Sequence, residues 1–249
     1  MSPRKVEPAY PPLDVPKPVD EGVWIVDSGP LRVLGMPLPV RMTVLRLSDG
    51  GLWIHSPTRY DPDLHETLEI FGPIRHLVAP NSAHWTFVEA WQRHCPEARV
   101  WAAPGLRDRA QVRKSGLRID FDLPETAPAD WTRDLTQVVV PGLAGFREVA
   151  FHHRASRTLL LTDLVQNLEP DRLPAPMRPL ARLAGVTAPT GRAPAYLRLA
   201  VKLKGRAPAE AARRLVGFQP ERVIFSHGRW FERDGTARLA RSLAWLLPR

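Results

Sequence analysis

Three separate apolar runs in this chain stop abruptly at a side chain able to bind a metal or move a proton. They are "HLVAPNSAH" ending at His84, "RTLLLTD" ending at Asp163 and "RVIFSH" ending at His227. Each reads as a short buried β-strand followed at once by a polar turn. Strands of one sheet that end at a common edge bring such side chains together from distant positions, which is how open α/β sheets build sites. The chain is therefore expected to carry its chemistry on one sheet edge.

The flanking texture supports a mixed architecture. After a proline-rich stretch over residues 1–20, expected as an extended arm, "VWIVDSG", "LRVLG", "MTVLRLSDG" and "LWIHSP" form an antiparallel meander with an Asp-Gly hairpin turn. "DPDLHETLEIFG" then predicts a helix with Asp61 as N-cap, with Leu64, Leu68 and Phe71 at helical spacing and Gly72 as its stop. A strand over 75–79, a helix starting directly after Asn81 with Trp85, Val88 and Trp91 on one face, and the strand "ARVWAA" continue the β-α-β alternation. Residues 105–135 show no clear period and read as an irregular connection. "TQVVVPG", "REVAFHHRA" and "RTLLLTD" form a second β set, followed by helices over 177–184, 194–204 and 207–217, a strand over 222–226 and a helix over 235–247. Meander, α/β, meander, α/β suggests two similar halves facing each other.

Composition narrows the function classes. No apolar run is long enough to span a bilayer and no signal-peptide pattern follows Met1, so a reducing cytoplasm is the expected compartment. The single cysteine, Cys95, excludes an internal disulfide and reads as packing. The formal charge of +9 is uneven: residues 1–171 carry 19 Lys and Arg against 22 Asp and Glu, and residues 172–249 carry 16 against 4. No acid lies between Asp171 and Glu210. Such a field attracts an anionic small molecule, a phosphate or an anionic lipid.

With these residues in view, the chain resembles the metallo-β-lactamase superfamily over roughly residues 20–247. The carrying segments are "VAPNSAHWTFVEAW", "VVVPGLAGFREVAFHHRASRTLLLTDL" and "ERVIFSHG". "RMTVLRLSDGGLWIHSP", "HLVAPN" and "LLLTDLVQN" are more narrowly similar to its branch named domain of unknown function 4336. The resemblance implies an α/β (α+β) fold, the four-layer αβ/βα sandwich, spanning residues 21–249 as a single domain with a basic helical insertion at about 172–206. It also implies metal ligands on loops along one edge.

The family's His-x-His-x-Asp-His motif keeps its final member here as His84, with Asn81 and Ala83 in place of the second His and the Asp. The family's turn histidine is replaced by Leu143. By that correspondence one of the two metal sites is dismantled, and His84, Asp163 and His227 remain as three of the four protein ligands of the other. Two imidazoles and a carboxylate suit one Zn²⁺, or Fe²⁺ or Mn²⁺. The expected activity is a mononuclear metal-dependent hydrolase of an ester, thioester or phosphoester, with Asp163 at the chemistry and Asn81 steadying the developing oxyanion. The alternative is a catalytically inactive, metal-free binding or scaffold protein that uses the basic insertion to contact an anionic ligand, lipid or partner.

Around that centre, His55, Ser82, Gln166, Arg198 and Lys202 are candidate substrate-binding residues. His65, His76 and His94 read as surface residues, and His152 and His153, adjacent on a strand, face opposite sides. Helix 194–204 sets Tyr196, Leu197, Leu199, Val201 and Leu203 against Arg198 and Lys202. It is suited to peripheral contact with a membrane, to closing over the site as a lid, or to packing on the sandwich with its cations solvated. Aromatic residues are too sparse in this basic stretch to favour nucleic acid.

Overall fold

The computed structural model describes residues 7–33 and 35–247; the rest of the arm, residues 1–6, lies outside the described residues. The first sheet has seven strands in sequential order. They are β1 (Lys17–Asp20), β2 (Val23–Val33), β3 (Met36–Arg46), β4 (Leu52–His55), β5 (Ile74–Ala79), β6 (Arg99–Ala102) and β7 (Phe121–Asp122). From β1 to β4 the pairing is antiparallel, and from β4 to β7 it is parallel. The parallel steps are the crossovers filled by α1 (Pro62–Glu69) and α2 (Val88–His94), while α3 (Ala110–Arg113) lies between β6 and β7. A second sheet is ordered β12-β10-β9-β8, from β8 (Leu135–Pro141), β9 (Arg147–His153), β10 (Thr158–Leu160) and β12 (Arg222–Ile224). A separate parallel pair joins β11 (Gln166–Asn167) to β13 (His227–Gly228). Helices α4 (Arg178–Ala184), α5 (Ala195–Lys202), α6 (Ala207–Gly217) and α7 (Gly235–Ser242) complete the chain.

Strand alternation explains the layering. On β4, Leu52 and Ile54 face the helical side with Leu64, Leu68 and Trp91, while Trp53 points the other way, into the space between the sheets. There Trp53 meets Phe151 of β9 edge-on at 4.8 Å between centroids, and Leu160 and Ile224 of the second sheet close the same cluster. The outer face of the second sheet is covered by Leu197, Val201, Leu215 and Leu239 from α5, α6 and α7. Helix, sheet, sheet, helix is the four-layer αβ/βα sandwich expected from the sequence.

Several sequence expectations need correction. Order begins before Gly22: Ala9 is fully buried, and β1 pairs with β2 as an edge strand, where Pro18 is tolerated. Residues 105–135 are not merely a connection, because they supply β7 and bury Leu106, Val112, Leu123 and Trp131. The second helix begins at Val88 rather than directly after Asn81: residues 82–87 form bends and turns, the first of them tied down by the Asn81 side-chain oxygen, which accepts the Ala83 and His84 N–H groups at 2.8 and 3.0 Å. His76 is buried, with Trp101 donating to its Nδ1 at 3.1 Å, so the surface role does not hold. The last strand stops at Ile224, and His227 joins β11 instead of extending it.

Candidate metal centre

Three strand ends converge where the sequence placed its chemistry. The turn after β5 carries His84, the turn after β10 carries Asp163, and β13 carries His227. His84 Nε2 lies 3.2 Å from Asp163 Oδ2 and His227 Nε2 lies 3.4 Å from Asp163 Oδ1. One donor atom from each residue falls within 4.8 Å of the other two. Donors about 2.0–2.1 Å from a tetrahedral ion are separated by about 3.3 Å, close to both histidine–carboxylate spacings, with the two imidazoles approaching different oxygens of Asp163.

The far side of each ligand is held. His227 Nδ1 is 2.8 Å from the Pro39 carbonyl, to which it donates, and this fixes the ring with Nε2 facing Asp163. His84 Nδ1 meets Ser56 Oγ at 2.6 Å. Ser56 stands directly after β4 with φ of 53°, a left-handed conformation uncommon for a residue with a Cβ, and this turn carries its hydroxyl under the imidazole. Asp163 accepts from the Asn81 amide at 2.7 Å and from the Gln166 amide at 3.0 Å.

Two charged residues beneath the ligands fix the loops. The buried Glu148 carboxylate, on β9, accepts the backbone N–H groups of Thr162, Asp163 and Leu164 at 2.7, 2.9 and 3.1 Å. Arg41 of β3 donates to the Phe225 and Gly228 carbonyls at 3.0 and 2.8 Å and pairs with Asp27 at 2.6 Å, clamping the turn that carries His227. Gly228 is required there: its φ is 96°, and a Cβ would come within 2.3 Å of the Asn167 carbonyl oxygen.

Electrostatics follow from this packing. Burial raises the Asp163 carboxyl, but the His84 charge and the hydrogen bonds from His227 and His84 outweigh it and hold the group well below the usual carboxylate range. Burial lowers His227, yet its hydrogen bond to Asp163 and that carboxylate's charge leave it raised. Burial, then the Asp163 charge, pushes Glu148 up to about 7 against the opposing backbone N–H bonds. The centre opens on a cavity of about 150 Å³ whose walls include Leu38, Arg41, Thr58, Phe87 and Tyr196.

The remaining candidates distribute differently. Gln166 lines this cavity. Asn81 does not present a free donor, since its amide is committed to Thr162 Oγ1 at 2.9 Å and to Asp163; it positions the carboxylate instead of an oxyanion. Ser82 lines a different cleft, with Arg109 and Arg147. His55 is buried between Trp53 and Phe151, outside the cavity wall, where burial and then the His84 charge lower it to about 3. Arg198 donates to the Ala184 and Ala193 carbonyls at 3.0 and 2.9 Å, tying α4 to α5, and Lys202 is exposed away from the cavity. Their helix contributes Tyr196 to the wall in their place. His152 stacks on Phe218 and His153 bonds Ser156, so neither joins the centre.

Ser56, Glu148 and Arg41 escaped the sequence reading. For Arg41 a signal existed: Asp27 and Arg41 each interrupt an apolar β run, and they are direct partners across the β2–β3 hairpin.

The architecture has solved counterparts. A metallo-β-lactamase from Pontibacter korlensis matches with a TM-score of 0.58 at 17% identity, covering 93% of this chain and 97% of that one. The metallo-β-lactamase FIM-1 from Pseudomonas aeruginosa, in its mono-zinc form, matches with a TM-score of 0.60 at 17% identity, covering 93% and 94%. The metal-soaked Flv1 flavodiiron core from Synechocystis sp. PCC6803 gives a TM-score of 0.65 at 12% identity, covering 93% of this chain and 60% of that one. At these identities the likeness establishes the fold alone. No curated protein matches the sequence. The family model described as domain of unknown function (DUF4336) matches residues 20–186. The chain is therefore a member of the DUF4336 family, built on the metallo-β-lactamase fold.

Proposed function

We propose that this protein is a mononuclear metal-dependent hydrolase in which His84, Asp163 and His227 hold one divalent ion, Zn²⁺ or Fe²⁺ or Mn²⁺. The single observation that carries this reading is the convergence of three donor atoms within 4.8 Å at the floor of a cavity. The donor set fits: both imidazoles have their Nδ1 atoms occupied elsewhere, and the carboxylate is oriented by two amides. When bound, such an ion supplies Lewis acidity that polarises a carbonyl or phosphoryl oxygen.

The chain's own residues do the rest. Leu38, Phe87 and Tyr196 exclude water from one side of the cavity and accept an apolar group of an ester, thioester or phosphoester. Glu148 keeps the Asp163 loop rigid through three hydrogen bonds, which preserves the spacing of the donors.

A second reading draws on the same carboxylate. Asp163 already faces two amides and two imidazoles, a self-sufficient arrangement that a metal-free binding protein could retain. Elemental analysis of protein purified without chelator from metal-replete medium separates the two. The hydrolase reading expects close to one ion per chain, lost in His84→Ala and in His227→Ala. Metal far below stoichiometry in the wild type, with no thermal stabilisation by added Zn²⁺ or Mn²⁺, favours the binding protein.

A further inference from the structure

Among the described residues, Val15, Ile70 and Phe121 are exposed singly, while the other exposed large apolar side chains fall on α4, α5, the turn at Leu143 and the β2–β3 hairpin tip. On α5 and its C-terminal cap, Tyr196, Leu199 and Leu203 follow helical spacing along one face and are 75%, 60% and 61% exposed, while Leu197 and Val201 on the opposite face are buried. On α4, Leu180 and Leu183 are exposed, and Arg198 bonds the Ala184 carbonyl to hold the two helices together. Leu143 is exposed beside them, its backbone N–H bonded to the Ala200 carbonyl. Leu31 and Val33, exposed at the tip of the β2–β3 hairpin, line the cavity together with Tyr196. Single exposed leucines are ordinary, but a cluster of this kind marks an interaction surface.

The charge around this crest identifies its partner. Arg182, Arg192, Lys202, Lys204 and Arg206 are exposed, and among the described residues none of them forms an ion pair. No acid lies between Asp171 and Glu210 in the sequence. A second copy of this chain would bring the same cations against each other across a two-fold interface, which is repulsive. An anionic bilayer meets both requirements: its headgroups neutralise the cations and its acyl boundary receives the leucines and the tyrosine.

We propose that the α4–α5 crest docks on an anionic lipid surface, with the cavity mouth at Tyr196 facing the membrane. Docking is independent of whether a metal is bound, so it stands or falls separately from the hydrolase reading.

Sedimentation of the full chain with vesicles tests it. Phosphatidylglycerol/phosphatidylcholine vesicles are expected to carry the protein down at low salt and to release it at high salt, and pure phosphatidylcholine vesicles to leave it in solution. Each basic side chain near an anionic surface contributes roughly fivefold to partitioning. Replacing Arg182, Lys202 and Lys204 by Gln together should therefore weaken binding by roughly a hundredfold, and replacing Leu183, Leu199 and Leu203 by Ser should also weaken it. Circular dichroism melting checks that both variants remain folded, as exposed positions predict. The proposal is overturned by any of three results: no binding of the wild type to anionic vesicles, binding that neither variant set alters, or a dimer in sedimentation velocity that the leucine substitutions dissociate.

Discussion

Glu148 shows how much of the centre depends on a residue that touches no ligand side chain. Its carboxylate accepts three consecutive N–H groups from the loop bearing Asp163. In Glu148→Gln one acceptor becomes an amide donor facing a backbone donor, leaving a buried group unsatisfied. We expect a loss of about 1–3 kcal/mol in urea unfolding, with reduced metal affinity. An unchanged unfolding midpoint would show that the loop is held by other contacts. Nothing in "REVAFHHRA" sets Glu148 apart from the solvent-facing acids common on strands, because the groups it satisfies lie 14 to 16 residues further along the chain. His84, Asp163 and His227 were legible because each ends an apolar run. Ser56 was not, since its role depends on a left-handed turn and on an imidazole 28 residues away.

At the level of elements, local rules performed best where local groups satisfy one another. The first helix follows its cap as expected: the Asp61 side chain accepts from the Leu64 N–H at 3.0 Å, Pro62 opens the first turn, and Leu64 and Leu68 are buried. Asp61→Ala should cost about 1 kcal/mol, read as a fall of about 2–4 °C in Tm for a domain of this size. A fall much smaller than that would mean water replaces the cap at no cost. The second helix starts later than its periodicity predicts: residues 82–87 turn, anchored to the Asn81 side chain through the Ala83 and His84 N–H groups, and this turn carries His84 to Asp163. Trp85 still packs on the core it was expected to meet, from a turn instead of a helix. In the arm, prolines argued for an extended chain. Extension was correct over Lys17–Asp20, but Lys17 also reaches Asp27 at 2.7 Å, and that contact draws the segment into the sheet.

Across the whole molecule, buried histidines tie stability to pH. Burial is the leading cause of lowering at His55, to about 3, and at His76 and His152, to about 4, and it also lowers His153. Unfolded, these groups take up protons near pH 6.5, whereas folded they stay neutral, so the unfolded state binds more protons as pH falls through that window. Their contribution is intact above pH 6.5 and is lost toward pH 4. Glu148 and His227, both raised in the folded state, act in the opposite direction. Four lowered groups outnumber these two, and Tm of chelator-treated protein should therefore fall between pH 7 and pH 5. A flat or rising profile would mean that the buried imidazoles are protonated in the fold.

The alternation of strands and helices, the capped first helix and three side chains at the ends of apolar runs were readable from the chain alone, whereas the four-layer class came from its resemblance to a family. The first three are properties of periodicity and of run ends, which act over a few neighbouring residues. What holds that centre in place depends on long-range packing: His227 against the Pro39 carbonyl and Arg41 against the Gly228 carbonyl, pairs separated by 188 and 187 positions. The tertiary structure also decided that Arg198 braces two helices while Tyr196, two residues away, lines the cavity. The physical reason is that a buried polar group must find a partner wherever packing supplies one, and packing joins segments whose separation along the chain carries no local pattern.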